Sequence, residues 1–524
     1  MRDVIVIGSG FGGAVSACRL AERGLRVLVL ERGRRWEPAT YPRAAGDPWI
    51  FDVDHPERRN GWLDFRIFPD MMVAQGAGVG GGSLIYANVS IPAPREAFDT
   101  GWPPELTFDE LGPYYERVGA MLGVQTVPDN QEPERTRLMR DAAQRIGAGD
   151  RFQKLPLAVT FDPDYRPDGP DPQSHRHSKT WTNAFGREQG TCVHLGYCDI
   201  GCPVKAKNTL DLNYLARAEQ RGAEIRPLHL VRVIVPVAGG YRVEGDILAG
   251  GRLTPFREMA ARVVVAAGSL NSTELLLRCR DQYRTLPGLS RRLGEQWSSN
   301  GDFLTPAWYP GRVPPIAPTV GPTITSAIDF LDGAKHSARF FIEDGGLPDL
   351  VRAYLDEVLR DSPASWRWRG LLKKVRQATV RHNVVRDMMP WFAQGVDAAD
   401  GRLRLKRRWY APWRRALGLD WDIAASQRTI DAIVKTHQEL ARATGGDPDV
   451  PITWSLFKNL VTPHPLGGCV VGQTSSDGVV DHRGSVFGYP GLYVADGAIV
   501  PEALGLNPSR TIAALAERVA GLMA

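Results

Sequence analysis

The sequence predicts an α/β fold, α+β when the whole chain is counted, and three observations predict it. Near the start, the apolar strand-type run Asp3-Val4-Ile5-Val6-Ile7 leads into Gly8-Ser9-Gly10-Phe11-Gly12-Gly13, and Ala14 to Arg23 follows at helical spacing. Further on, Val263-Val264-Val265-Ala266-Ala267 is a buried-type strand that turns through Gly268 and Ser269 into a helix from Thr273 to Arg278. Near the end, Leu492-Tyr493-Val494-Ala495-Asp496-Gly497 repeats that form. Such strands belong to open α/β sheets, where ligands bind at the carboxyl ends of the strands.

The first unit also specifies a ligand. Its second apolar run, Val27–Leu30, ends in Glu31, 18 residues past Gly13. This is G-x-G-x-x-G after a strand, opening a helix, with an acid at ribose distance, which reads as a dinucleotide site. Gly8 permits the tight turn, Gly10 lets backbone approach a pyrophosphate, and Gly13 allows close helix packing. The helix N-terminus then faces the phosphates, and Glu31 accepts from a ribose hydroxyl. Phe11 and Arg32 flank these positions and complete the candidate set at this end.

The elements that follow add to that set. Val73 to Leu84 is glycine-dense, and without Cβ atoms such a loop can lie against a flat ligand face. Its candidates are Gly76, Gly78, Gly81, Gly82 and Ser83, with Tyr86-Ala87-Asn88 just beyond. Residues 160–190, rich in Asp, Pro, Ser and His, predict a surface loop or lid edge. Residues 225–265 alternate in strand fashion around turns at Gly239-Gly240 and Gly250-Gly251, a small β excursion that includes the candidate Arg232. Ala267 and Gly268 end the next strand, and Asp496 and Gly497 end the last one, where Asp496 suits a cofactor polyol.

Cysteine use gives no standard metal site. Cys18 and Cys279 sit on apolar helix faces and predict core packing. Cys192, Cys198 and Cys202, with His194 between the first two, have neither zinc nor iron–sulfur spacing. A structural loop, with or without one disulfide, is the expectation there, ahead of a metal or redox role.

Composition excludes several classes. With 43% apolar and 23% charged residues the chain is an ordinary globular protein, and a net charge of +5 is too small to imply a nucleic-acid partner. No apolar run approaches the length of a spanning helix. The first strand begins at Asp3, so a signal peptide has no room and a cytoplasmic protein is expected. Residues 352–415 stand apart, with 16 Lys/Arg against 6 acids and Trp366, Trp368, Trp391, Trp409 and Trp413 interleaved. Three readings stay open: a solvated face whose tryptophans pack inward, a basic amphipathic helix in peripheral contact with an anionic membrane, or an oligomer contact.

The last segments carry the chemistry. His464-Pro465-Leu466-Gly467-Gly468-Cys469 and Leu506-Asn507-Pro508 each set a polar side chain in stiff surroundings. Histidine exchanges protons near neutrality, and asparagine orients a hydroxyl or a cofactor edge without titrating.

Together these residues resemble the glucose–methanol–choline (GMC) family of flavin oxidoreductases. The likeness runs from residue 4 to the final helix and rests on Gly78–Leu84, His464–Cys469 and Asn507-Pro508. A weaker match, Phe340-Phe341-Ile342-Glu343-Asp344, resembles the sterol-oxidising branch, where a catalytic glutamate stands; the Cys-rich segment through Cys202-Pro203 departs from that branch. The resemblance implies FAD, held non-covalently, in a Rossmann-type domain assembled from 1–40, 70–100, 210–305 and 455–524. A substrate domain of antiparallel sheet plus helices would come from 41–69, 101–209 and 306–454. It also implies oxidation of the CH–OH group of a bulky lipophilic alcohol, a sterol 3-hydroxyl leading and long-chain, terpenoid or sugar alcohols behind, with oxygen or a quinone as acceptor. His464 would hold the hydroxyl and take or direct its proton, and Asn507 with Pro508 would meet substrate oxygen or flavin edge. Glu343 would be a second base, with an exposed loop carboxylate as the bland reading. A light-driven fatty-acid decarboxylase and a non-catalytic flavin electron carrier are the alternatives from other classes.

Overall fold

The structure is a computed structural model of the 524-residue chain and describes residues 1–44, 46–348, 384–408, 411–449 and 460–523. Its largest sheet has seven strands. Five run parallel, in the order β8 (Glu224–Arg226), β2 (Val27–Leu30), β1 (Arg2–Ile7), β11 (Arg252–Val265) and β20 (Leu492–Val494). Val4–Ile7, Val27–Leu30 and Val263–Val265 are all buried, which is why these strands read as unbroken apolar runs. Helix α1 (Phe11–Glu22) packs on β1 and β2 and is flanked by α4 (Tyr214–Gln220) and by α7 (Ser509–Leu522). Strand β11 outruns the parallel core. Its outer half pairs antiparallel with β10 (Gly240–Ala249), which pairs with β9 (His229–Val237), and both hairpin turns use left-handed glycines.

A second sheet is antiparallel throughout. Its six strands run in the order β18 (Asp447–Pro448), β12 (Phe303–Trp308), β15 (Met388–Gly395), β14 (Phe340–Asp344), β13 (Ser326–Phe330) and β5 (Phe152–Lys154). Helices α3 (Glu134–Arg145) and α6 (Gln427–Ala443) cover one face. On α6 the buried residues Ile430, Ile433, His437 and Leu440 recur at helical spacing and form the contacting stripe. Helix α2 (Phe108–Met121) lies against α7. Between the sheets, β3 (Leu63–Ile67) and β4 (Met71–Gly76) form a hairpin, and β19 (Leu460–Thr462) joins β4 in parallel. Within residues 160–190 the chain makes turns and one short hairpin, β6 (Thr180–Thr182) with β7 (Glu188–Gly190).

Two expectations are sharpened. Of the readings left open for 352–415, the basic amphipathic helix is not what the described part forms: after a short helical turn at Val384–Asp387 come β15 and a hairpin of β16 (Arg402–Arg408) and β17 (Ala411–Asp420). The run Arg402-Leu403-Arg404-Leu405-Lys406 alternates with period two, so its basic side chains share one face; Arg404 and Lys406 both reach Asp420 across the hairpin. Trp391 is fully buried in β15, while Trp366, Trp368 and Trp409 lie outside the described residues. The Cys192–Cys202 loop falls within its expectation: all six cysteines are free thiols, so it is a structural loop held without a disulfide.

Candidate active site

A cavity of about 1300 Å³ runs from the carboxyl ends of the parallel strands to the antiparallel sheet. One end is the glycine turn. At Gly8 the backbone has φ +96°, and a Cβ there would stand 2.3 Å from the Ala266 carbonyl oxygen. A Cβ at Gly13 would come within 2.1 Å of Gly8 O, and one at Gly12 within 1.7 Å of Ala495 O, so both glycines serve the packing of α1. Gly10 is different: a Cβ would have no neighbour closer than 3.9 Å and would project into the cavity. The N-terminus of α1 and the Gly10 and Gly82 backbone therefore form a cradle with room for a pyrophosphate. The residues present fit an FAD.

Among the other candidates, Phe11, Glu31, Arg32, Gly76, Gly81, Tyr86, Ala87, Arg232, Ala267, Gly268, Asp496, Gly497 and Pro508 line this cavity. Gly13, Gly78, Ser83 and Asn88 do not: Gly78 packs on the Trp36 indole, and the Ser83 hydroxyl bridges Gly80 O and Leu210 N. Glu31 is anchored before any ribose arrives, accepting from Ser9 N and Oγ at 3.1 and 2.7 Å and from Gly33 N at 2.8 Å. Asp496 likewise accepts from Gly268 N, Ser272 Oγ and Ala498 N, and so ties β11 to β20 where the cavity begins.

The other end gathers the reacting groups. His464 follows β19, and the chain beyond it threads between two others. A Cβ at Gly467 would lie 1.9 Å from Gln296 O and one at Gly468 2.3 Å from Thr273 Oγ1, so the two glycines are what the narrow passage admits. His464 Nδ1 is 2.8 Å from Asp302 Oδ1, and Thr462 Oγ1 donates to the other oxygen of that buried carboxylate. With Nδ1 engaged, Nε2 is the nitrogen left for the cavity. Burial lowers the imidazole pKa, but Asp302 and then Glu343 outweigh it and hold His464 above its ordinary value.

Glu343 is not a loop carboxylate. It lies in β14, fully buried, on the sheet face that also carries Phe392 opposite it in β15. Gln394 Nε2 donates to its Oε2 at 2.8 Å, and Asn507 Nδ2 stands 3.5 Å from the same oxygen. Burial pushes Glu343 up to about 8, with Gln394, His464 and Asn507 pulling the other way. Glu343 Oε1, Asn507 Oδ1 and Gln394 Oε1 are buried without a hydrogen-bond partner among the described residues. Three unpartnered oxygens in one place mark a site built for an additional polar atom. The neighbouring Asp344 points elsewhere, into a fully buried ion pair with Arg135 at 3.0 Å.

Sequence reasoning missed Asp302, Gln394 and Asn300. Asn300 Nδ2 donates to Leu506 O at 2.9 Å, and its Oδ1 accepts from Leu504 N and Gly505 N, so it sets the backbone that delivers Asn507. The run Ser298-Ser299-Asn300-Gly301-Asp302, polar and fully buried ahead of β12, was the available signal. Among the described residues no group of three or more His, Cys, Asp or Glu side chains is arranged to hold a metal ion.

Comparisons with known proteins agree with this layout. Models of the GMC oxidoreductase family match residues 178–280 and 397–516, and a model of NAD(P)-binding Rossmann-like domains matches residues 6–55. A cholesterol oxidase of Mycobacterium tuberculosis is 34% identical over 99% of this chain and 90% of its own. A cholesterol oxidase of Acinetobacter baumannii is 30% identical over 98% of this chain and 93% of its own. The crystal structure of pyridoxine 4-oxidase from Mesorbium loti superposes with a TM-score of 0.62 at 17% identity, covering 99% of both chains. The chain belongs to the GMC oxidoreductase family and is an FAD-dependent oxidoreductase acting on CH–OH donors.

Proposed function

We propose that this enzyme oxidises the hydroxyl-bearing carbon of a bulky lipophilic alcohol, with a sterol or steroid 3-hydroxyl as the leading substrate. The chemistry that FAD supplies when bound is acceptance of two electrons from the carbinol carbon as hydride. The chain's own residues handle the hydroxyl. His464 Nε2 takes its proton, Asp302 steadies the imidazolium that results, and Asn507 holds the oxygen through its amide. Glu343 supplies a second proton-transfer group, acting on a carbon acid beside the new carbonyl; its high pKa makes its ionised form a stronger base than a surface carboxylate.

The observation that carries this reading is the meeting of His464 and Asn507, with Glu343 buried directly behind Asn507, at one end of a cavity whose other end is the glycine cradle. Apolar wall residues support a lipophilic substrate, among them Phe68, Met72, Leu304, Leu347, Phe392 and Leu417. Similarity to cholesterol oxidases supports the sterol. FAD is bound non-covalently in this reading, and oxygen or a quinone takes the electrons away. The pieces 1–40, 70–100, 210–305 and 455–524 serve FAD, and the segments between them serve the substrate. Peripheral contact with an anionic membrane through 352–415 would deliver such a substrate.

The test is anaerobic mixing of the yellow protein with sterols, long-chain alcohols and sugars, following the flavin absorption. Bleaching fastest with sterols is the expected result, and heat should release intact FAD. No bleaching by any alcohol would sink the reading.

A further inference from the structure

The Cys-rich loop ends in a turn that is held rigidly against the cavity. Four consecutive carbonyls of its turn, Cys198–Gly201, each accept a side-chain hydrogen bond. Lys207 Nζ reaches Cys198 O at 2.6 Å, Trp62 Nε1 reaches Asp199 O at 3.1 Å, and Arg43 reaches Ile200 O and Gly201 O at 2.7 and 2.6 Å. Gly201 has φ +94°, and a Cβ there would stand 2.7 Å from the Tyr41 ring. Lys207 also donates to Leu84 O and Tyr86 O, which braces the turn against the loop that walls the cavity.

What this rigid turn presents is the side chain of Asp199. It lines the cavity beside Ile200 and Thr323, partly exposed to it. Its Oδ1 accepts from Thr323 Oγ1 at 3.3 Å, and among the described residues no lysine or arginine forms an ion pair with it. The nearby cations have other work: Lys207 donates to three carbonyls, and Arg135 to Asp344 and to carbonyls of 320–323 and 344–345. Burial pushes Asp199 up to about 6, with Lys207 the main opposing influence. A fixed acceptor with lone pairs open to a largely apolar cavity needs a donor from any ligand that fills the cavity and displaces solvent from it.

We propose that Asp199 is a specificity residue that accepts a hydrogen bond from a second hydroxyl of the alcohol substrate, a hydroxyl other than the one oxidised at His464. The inference rests on the alcohol-oxidation reading and narrows it to dihydroxy substrates. A site that hydrogen-bonds a substrate hydroxyl discriminates strongly against the analogue lacking it, because its own polar group is then left unpaired.

The test uses matched pairs, a 3-hydroxysteroid with and without a second hydroxyl and an α,ω-alkanediol against the 1-alkanol of equal length. The second-order rate of anaerobic flavin reduction should favour the dihydroxy member of at least one pair by about tenfold or more in the wild type. Asp199→Leu should bring that ratio to about one with flavin content unchanged, and Asp199→Asn, which keeps an acceptor oxygen, should retain part of it. A wild type without preference, a preference that survives Asp199→Leu, or loss of flavin from both variants overturns the proposal. Failure of every alcohol to reduce the flavin would count against the functional reading instead. Thermal shifts then judge Asp199: stabilisation by the dihydroxy compound in wild type but not in Asp199→Leu supports it, and equal shifts overturn it.

Discussion

The two nitrogens of His464 have separate tasks. Nδ1 is committed to Asp302, so proton exchange with a substrate falls to Nε2, which must be unprotonated to accept. Because Asp302 and Glu343 hold the imidazole above its ordinary pKa, the rate of flavin reduction should rise with pH through a midpoint above about 6.5. Asp302→Asn removes the main support of the imidazolium while burial still lowers its pKa, so the midpoint should move down. Stopped-flow reduction between pH 5 and 9 checks this, and an unmoved midpoint would remove Asp302 from that role. Glu343 gives a stability prediction of opposite sense to that of most carboxylates. Its folded pKa of about 8 lies above the ordinary 4.5 of a free glutamate, so its protonated form suits the fold, and stability is lost as pH rises through that window. Glu343→Gln, neutral at every pH, should gain on wild type by roughly 3–5 kcal/mol between pH 4.5 and 8 as an order of magnitude. Thermal midpoints at pH 5 and pH 8 would show that widening gap, and a constant gap would argue against a buried proton on Glu343.

At the scale of elements, the glycines of the first turn separate folding from ligand binding. Gly8→Ala forces a left-handed residue and a Cβ against the Ala266 carbonyl, which is backbone and cannot move aside. It should cost about 3 kcal/mol or more in folding, seen as poorly soluble or early-melting protein. Gly10→Ala has room and ordinary φ, so the apoprotein should melt within a few degrees of wild type while FAD affinity falls about tenfold or more. Equal melting losses in the two variants would refute this division. The same turn shows what the sequence discloses well. Strand, glycines, helix and Glu31 lie within about thirty residues, and their spacing states their geometry without reference to the rest of the chain. Asp302, Asn300 and Gln394 disclose nothing comparable. Asp302 meets a histidine 162 residues away and Gln394 a carboxylate 51 residues away, and only the pairing of β12, β15 and β14 brings them together. The hairpin β16–β17 is hard to read for another reason: the density of arginine and tryptophan across 352–415 fits several readings, while the period of two is confined to a few residues at Arg402–Lys406.

Over the whole molecule, the chain's two ends are tied by one buried acid. Glu517 on α7 accepts from Arg19 Nε and Nη2 on α1 at 2.8–2.9 Å, from Tyr214 Oη on α4 at 2.8 Å and from Arg117 on α2 at 3.2 Å. Four helices from distant parts of the sequence thus converge on a carboxylate that is itself fully buried. Arg510, in the first turn of α7, holds Ser90 O and Tyr115 O, so α7 is fastened at its start as well as at Glu517. Since Asn507 and Pro508 directly precede α7, this fastening also sets where the Asn507 amide enters the cavity. Removing the acid leaves Arg19 with Glu22 as its remaining partner and takes the acceptor from Tyr214 Oη, so Glu517→Ala should cost about 3 kcal/mol. Replacing both charges tests whether the loss lies in the stranded arginine: Arg19→Met with Glu517→Leu should recover most of the stability, because packed apolar groups avoid the desolvation of the pair. Thermal unfolding of wild type, the single variant and the double variant gives the answer. A double variant no more stable than Glu517→Ala would place the cost in the lost junction with Tyr214 and Arg117 instead. In either case flavin reduction measured well below the melting range should slow only if Asn507 shifts, which makes the junction's mechanical reach to the site measurable apart from its contribution to stability.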